Sequence, residues 1–235
     1  MISLLISNYE KSISLYIFYL FFSFLYCGIC LIADIFFYER IKKYKLIDRG
    51  YNTIIKQYKN NLPLVLYNIF ITNFIFIYFI TFFLKIEPLY EYNIMKSILD
   101  LIIMPFISEI FFWSFHYILH HRLLYSRFHK LHHMNKYTIS IDFYYSHPVD
   151  VIFGNLLPLS LPLIILGSHL YTIKVWTIFT LFNAIISAHS GFNLGSNSHD
   201  IHHEKFIYNY GLNIFMDKLL GTYRKDFDGK EIKKI

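Results

Sequence analysis

Residues 97–133 read SILDLIIMPFISEIFFWSFHYILHHRLLYSRFHKLHH, an apolar run from Ser97 to Phe115 that leads directly into six of the chain's twelve histidines. A second cluster, SHDIHH at 198–203, repeats the His-x-x-His-His arrangement of 129–133. Three histidine boxes result: His116 and His120; His129, His132 and His133; His199, His202 and His203. On a helix, positions i, i+3 and i+4 share one face. His116 and His120 are therefore expected to project together, as are the three members of each later box. Eight imidazoles on converging faces exceed the roughly four ligands of one tetrahedral zinc. They suit two metal ions with positions left open. Imidazole binds zinc, copper, iron and nickel alike, so the donor type does not choose the metal. The boxes contain no cysteine, which argues against a structural zinc knuckle. A lone histidine reads as surface decoration or a satisfied core position; three spaced boxes do not.

At 235 residues the chain suits one domain. Its hydrophobic fraction of 55% and mean hydropathy of +0.40 are high for a soluble globule and ordinary for a protein with several membrane spans. The net charge of +6 and the pI of about 9.1 fit basic cytoplasmic loops better than nucleic-acid binding. No aromatic-interleaved basic module is visible, so no nucleic-acid partner is expected. Cys27 and Cys30 form a C-x-x-C inside an apolar run, where buried small residues are the better reading than a redox pair. No small-residue cleavage site follows the first apolar segment, which reads as an uncleaved anchor.

Ser12 to Tyr38 is almost uninterruptedly apolar and longer than the ~20 residues a spanning helix needs. The following stretch carries Arg40, Lys42, Lys43, Lys45, Arg49, Lys56 and Lys59, and the excess of positive charge assigns this loop to the cytoplasm. A second span is expected from about Leu62 to Leu84, followed by the short, nearly charge-balanced far-side loop KIEPLYEYNIMK. The third span contains Pro105, a kink site, and Glu109, costly in a bilayer unless paired. Glu109 lies two turns before His116, so either a hydrogen bond to the back of that imidazole or an inward structural contact is expected. Val149–Leu166 and Leu170–Ala188 read as a crossing-and-return hairpin, with Pro158 and Pro162 bending its first arm. Counting crossings from a cytoplasmic 40–59 loop brings all three boxes to the same side, with Arg122, Arg127 and Lys130. The expected fold is therefore an all-α integral membrane protein. It has about four to five transmembrane helices and a cytoplasm-facing, histidine-rich helical cap. Its organisation divides into an N-terminal transmembrane region (1–95), a catalytic domain (96–225) and a basic tail (226–235).

The block WSFHYILHHRLLYSRFHKLHH (113–133), SHPVD (146–150), AHSGFNL (188–194), SHDIHHEKFIYNYG (198–211) and DKLLGTYRK (217–225) together resemble the fatty acid hydroxylase/sterol desaturase superfamily of membrane di-iron oxygenases. The resemblance runs from about Glu109 to Tyr223, roughly half the chain, and the N-terminal 90 residues match only as generic spans. Within the superfamily the chain looks most like the C4-methylsterol oxidase branch. It also shares features with sterol C5-desaturases (lathosterol oxidases) and with sphingoid-base C4-hydroxylases. Carried over position by position, the resemblance implies His116, His120, His129, His132, His133, His199, His202 and His203 as metal ligands, with His189 of the HSG motif completing the set. His121 neighbours a box and reads as either a supporting or a solvent-facing residue. His147 occupies a family position without a settled role, and His169 reads as a far-side loop residue. The stretch between His189 and His199 is shorter than in most relatives.

The resemblance implies two iron ions, with zinc a possible substitute in purified material. It implies O2-dependent hydroxylation or desaturation of a lipid, with a sterol favoured. Unactivated C–H bonds lie beyond side-chain acid–base chemistry, so the hard step belongs to a cofactor. No flavin or nucleotide fingerprint is visible, and the resemblance implies cytochrome b5 or a similar electron donor. The basic face of Arg122, Arg127, Lys130 and Lys136 suits an acidic partner or phospholipid. Endoplasmic reticulum rests on the resemblance alone, because the terminal IKKI does not fit a dilysine signal. The competing readings are a sphingoid-base or fatty-acyl hydroxylase of the same superfamily, a membrane zinc hydrolase, and a non-catalytic lipid-binding relative.

Overall fold

The computed structural model describes residues 2–84, 92–194 and 198–225. Among these residues the secondary structure is helical, apart from one isolated antiparallel bridge between Lys45 and Phe192. Five helices are long and apolar enough to cross a membrane: α1 (Ile2–Phe36), α2 (Tyr51–Ile80), α3 (Ile94–Leu119), α4 (Pro148–Leu166) and α5 (Leu170–Ser187). The all-α membrane fold expected above is the one found, at the upper end of its helix count. The histidine-bearing segments follow α3 and α5, with α6 (Ser198–Lys205) and α7 (Phe215–Leu219) completing the described chain.

Each span presents one face to lipid and another to its neighbours. Ile17, Phe21, Phe79, Ile102 and Phe106 are exposed, whereas Leu15, Tyr19, Val65, Met104, Leu163 and Trp176 are buried. Several polar side chains inside the bundle are paired, which lowers their cost in an apolar surrounding. Asn68 donates to the carbonyls of Tyr144 and Ser146, each at 2.8 Å, and the Tyr144 hydroxyl donates to Ser23 at 2.7 Å.

α2 starts well before the expected Leu62. Half of the expected basic loop is therefore helix, because Ile54, Tyr58, Asn61 and Val65 recur at helical spacing and are buried on one face. The α4–α5 hairpin is closed by standard helix-end devices. Gly167 ends α4 in the left-handed conformation (φ 59°), and the His169 ring accepts the Tyr171 N–H to begin α5. His169 is thus a buried cap at the hairpin turn.

The ends of the bundle are sorted. At one end Ser12 meets Thr81 at 2.5 Å, Lys96 reaches the Leu166 carbonyl at 3.0 Å, and Tyr92 packs on His169. At the other end lie every histidine box and the Lys45 loop. Expectations for the 85–91 loop, for residues 195–197 in the short histidine-to-histidine stretch, and for the 226–235 tail fall outside the described residues.

Candidate metal centre

Nine histidines gather into two clusters. His116, His120, His129, His133 and His202 form the first, and His132, His189, His199 and His203 form the second. Within the first, neighbouring Nε2 atoms lie 3.0–3.2 Å apart: His133 to His129 at 3.0 Å, His116 to His129 at 3.1 Å, His120 to His202 at 3.1 Å. The second repeats this, with His203 to His199 at 3.0 Å, His199 to His189 at 3.1 Å and His203 to His132 at 3.2 Å.

Neither three-residue box projects to a single point, contrary to the expectation from spacing. His129 and His133 join the first cluster while His132 between them joins the second. In α6 the roles are exchanged: His199 and His203 serve the second cluster and His202 the first. In α6 the reason is angular: at about 100° per residue, i and i+4 are only ~40° apart, whereas i+3 falls on the other side of i. The 129–133 box reaches the same division from a π-helical turn that ends at His129 and a 3-10 turn that starts at His132. Each segment is therefore wedged between the clusters and feeds both.

Hydrogen bonds on the far side of five of the nine rings set their tautomers. Nδ1–H of His116 donates to the Tyr210 carbonyl at 2.7 Å, that of His202 to Tyr208 at 2.7 Å, and that of His189 to Ala184 at 2.6 Å. His129 donates to the Asp150 carboxylate at 2.9 Å, and His203 to the Asn135 carbonyl at 3.2 Å. With Nδ1 carrying the proton, Nε2 is a bare lone pair. Converging lone pairs repel one another unless a cation lies among them. With metal–nitrogen bonds of about 2.1 Å, adjacent ligands sit ~3.0 Å apart in octahedral and ~3.4 Å in tetrahedral geometry. The observed separations match such edges, so the residues present fit metal binding. Burial acts in the same direction. It holds His132, His133, His199, His202 and His203 well below the ordinary histidine pKa, and His189 at about 4, which keeps the rings neutral.

Chain geometry near the clusters departs from regular α-helix. π-helical turns occupy Tyr125–His129, Val151–Leu156 and Phe182–Ser187, ending at His129, starting after Asp150 and ending just before His189. Such turns re-aim side chains and recur at functional sites. Below the second cluster a cavity of ≈ 290 Å³ opens between α3, α4 and α5, lined by Phe112, Leu159, Trp176, Phe179, His189 and His199 among others. It shares Phe143, Leu159, Trp176 and Thr180 with a smaller space between α1, α2, α4 and α5. The first cluster has no residue on either lining.

A family model described as fatty acid hydroxylase matches residues 101–222. The chain belongs to the fatty acid hydroxylase family. The human fatty acid hydroxylase domain-containing protein 2 is 36% identical over 129 residues, covering 53% of this chain and 38% of its own length. A methylsterol monooxygenase of Aspergillus fumigatus is 32% identical over 130 residues, covering 46% of this chain and 44% of its own. Human lathosterol oxidase is 29% identical over 160 residues, covering 60% and 51%. The chain thus spans about half or less of the length of these curated relatives. No solved structure matches it.

All nine clustered histidines lie inside the fatty acid hydroxylase region. The remaining histidines stand apart. His121 is exposed and accepts the Leu123 N–H, and His147 accepts the Val149 N–H at the start of α4. Glu109 does not touch His116. It takes the inward structural contact, accepting the backbone N–H groups of Asn213 at 2.7 Å and Met216 at 3.1 Å. Cys27 and Cys30 are buried free thiols.

Several residues that shape the clusters carried no signal of their own in the sequence. Asp150 stood within the quoted SHPVD, and an acid opening an apolar span was the available clue. The carbonyls of Ala184, Asn135, Tyr208 and Tyr210 left no trace, because a backbone acceptor is independent of residue type.

Proposed function

We propose that the chain is a membrane-bound di-iron oxygenase that hydroxylates or desaturates a lipid, with a sterol as the favoured substrate. The observation that carries this reading is the pair of clusters of converging, neutral Nε2 atoms, one of them lining a largely apolar cavity at the level of the spans. In this reading the first cluster supplies five ligands and the second four. Iron held there would supply O2 reduction and hydrogen abstraction, the chemistry that side chains lack.

The chain's own residues would do the rest. Asp150 and the carbonyl acceptors lock the tautomer and orientation of five of the ligating rings. Phe112, Leu159, Trp176 and Phe179 exclude water and pack the lipid body. His189 and His199 bring the second centre to the cavity, so the reacting carbon meets that centre. The named activities of the relatives, methylsterol monooxygenase and lathosterol oxidase, support a sterol.

Arg122, Arg127, Lys130 and Lys136 are exposed at the histidine end and suit an acidic donor such as cytochrome b5. Arg40, Lys42 and Lys43 sit at the same end, which supports a cytoplasm-facing site in the endoplasmic reticulum. The matched region falls within residues 96–225 and supports that stretch as the catalytic domain, with 1–95 as the N-terminal transmembrane region and 226–235 as a tail.

Lipid profiles of cells with and without the protein test the reading, together with oxygen uptake by the purified chain given an electron donor. His132→Ala/His202→Ala removes one ligand from each cluster. The null and the double variant are expected to accumulate the same 4-methylsterol or lathosterol-type precursor, with donor-dependent oxygen uptake abolished. A double variant that restores the wild-type profile would sink the di-iron reading.

A further inference from the structure

The two clusters are supported from different parts of the chain. The groups that touch the rings of the first, and Ser146 that steadies Asp150, come from inside the fatty acid hydroxylase region: Asp150 on His129, Ser146 on Asp150, and the Tyr208 and Tyr210 carbonyls, with Asn68 of α2 reaching this set only at the Ser146 carbonyl. The second cluster has no carboxylate on any of its rings among the described residues. Its surroundings lead out of that region by two routes.

One route starts at Lys45, whose side chain is 4% exposed and whose ammonium pairs at 2.8 Å with the fully buried Asp34 near the end of α1. The same ammonium donates to the Ser190 carbonyl at 2.8 Å, one residue past His189. The backbone on either side is stitched to the same segment: Leu46 N–H donates to Gly191 at 2.9 Å and Asn193 N–H to Tyr44 at 2.9 Å. Tyr58 of α2 secures Asp34 from behind at 3.0 Å. The other route starts from two amides on α2. Gln57 and Asn61 donate to the Asp142 carboxylate at 2.5 and 2.7 Å. Asp142 in turn accepts from the Asn135 side chain at 3.1 Å, and the Asn135 carbonyl takes Nδ1–H of His203.

We propose that residues 34–61, outside the matched family region, are positioning residues for the second metal centre, holding His189 through Lys45 and His203 through Gln57, Asn61 and Asp142. The inference rests on both clusters being metal centres. It assigns the 34–61 stretch a task beyond anchoring: it shapes the centre that lines the cavity, while the groups bonded to the rings of the first centre all lie within the family region.

The test uses the full chain, stripped by chelator and reloaded with Co²⁺, with bound cobalt counted per chain and its visible absorbance recorded. Two variants interrupt the two routes. Asp34→Asn/Lys45→Met removes the ion pair without leaving a lone buried charge. Gln57→Leu removes one donor to Asp142. The wild type is expected to bind two cobalt ions. Each variant is expected to keep one at wild-type affinity and to bind the other about 10–100-fold more weakly, the usual effect of losing a supporting partner. The weakened spectral component should be the one that His203→Ala removes and His129→Ala leaves. Lys45→Arg, which keeps both the charge and a donor, is expected to restore it. Two ions at wild-type affinity in both variants, or parallel loss of both ions, overturns the proposal. A wild type that binds fewer than two sinks the two-centre reading instead, so the two failures are distinguishable.

Discussion

Asp150 shows how much one side chain controls. Its carboxylate is buried between Nδ1 of His129 and the Ser146 hydroxyl, and it fixes which His129 nitrogen faces the cluster. Without it the imidazole is free to place its proton on Nε2, where it cannot ligate. Asp150→Ala is expected to weaken metal binding at the first cluster about 10–100-fold. Asp150→Asn, whose amide oxygen still accepts, should lose less; competition with a coloured chelator measures both. Gly154 belongs to the same device. A methyl group there would run into the Asp150 carboxylate and sit 3.1 Å from Leu119, so Gly154→Ala is expected to weaken the same site. Individual histidines were legible as candidate ligands because the imidazole carries its chemistry with it. Their partners were not: four of the five ring acceptors are backbone carbonyls, and the fifth is one acid among sixteen.

At the level of elements, the segment from Tyr210 to Thr222 is folded by two buried acids. Glu109 of α3 accepts from Asn213 and Met216, and Asp217 accepts from the N–H groups of Tyr210 and Gly211, each at 2.9 Å, and from the Trp113 indole at 3.0 Å. Together they hold the Tyr210 carbonyl against His116. Glu109→Ala removes the acceptor of two part-buried N–H donors, each at a cost below the about 1–3 kcal/mol of a fully buried one. It should lower the thermal midpoint, followed through the Trp113 fluorescence, and reduce metal retention with it. Glu109→Gln keeps an acceptor and should be milder. Gly211→Ala should resemble Glu109→Ala, because a Cβ there would lie within 2.9 Å of the Glu109 carboxyl carbon. The five spans were readable from length and apolarity, with α2 the exception. Its first three turns are polar in composition and helical because one face is buried against the loop that follows α3. Composition records polarity, not the neighbour that makes a helix worth forming.

For the whole molecule, the clusters link folding to pH. Burial lowers the pKa of His120, His132, His133, His199, His202 and His203, and brings that of His189 to about 4. The unfolded chain therefore binds more protons than the fold below an unfolded-state pKa of about 6.5. Stability of the metal-free protein should be level above about pH 7 and fall steadily as pH drops from there toward 4; denaturant midpoints across that range measure it. Bound metal should shift the fall to lower pH, because it holds the rings unprotonated. Membrane class, the number of spans within one, and the nine histidines were all available from one dimension. Apolar length and residue chemistry are properties of the chain itself, and the crossing count returned the boxes to one end. The partition of those histidines into five and four was not available. It depends on helix phase at π-helical turns and on how α6 is wedged between α3 and the 129–133 segment. The support of the second cluster by Lys45, Gln57 and Asn61 was equally hidden. Those contacts join residues more than seventy positions apart in the chain, and only packing decides which distant polar groups meet.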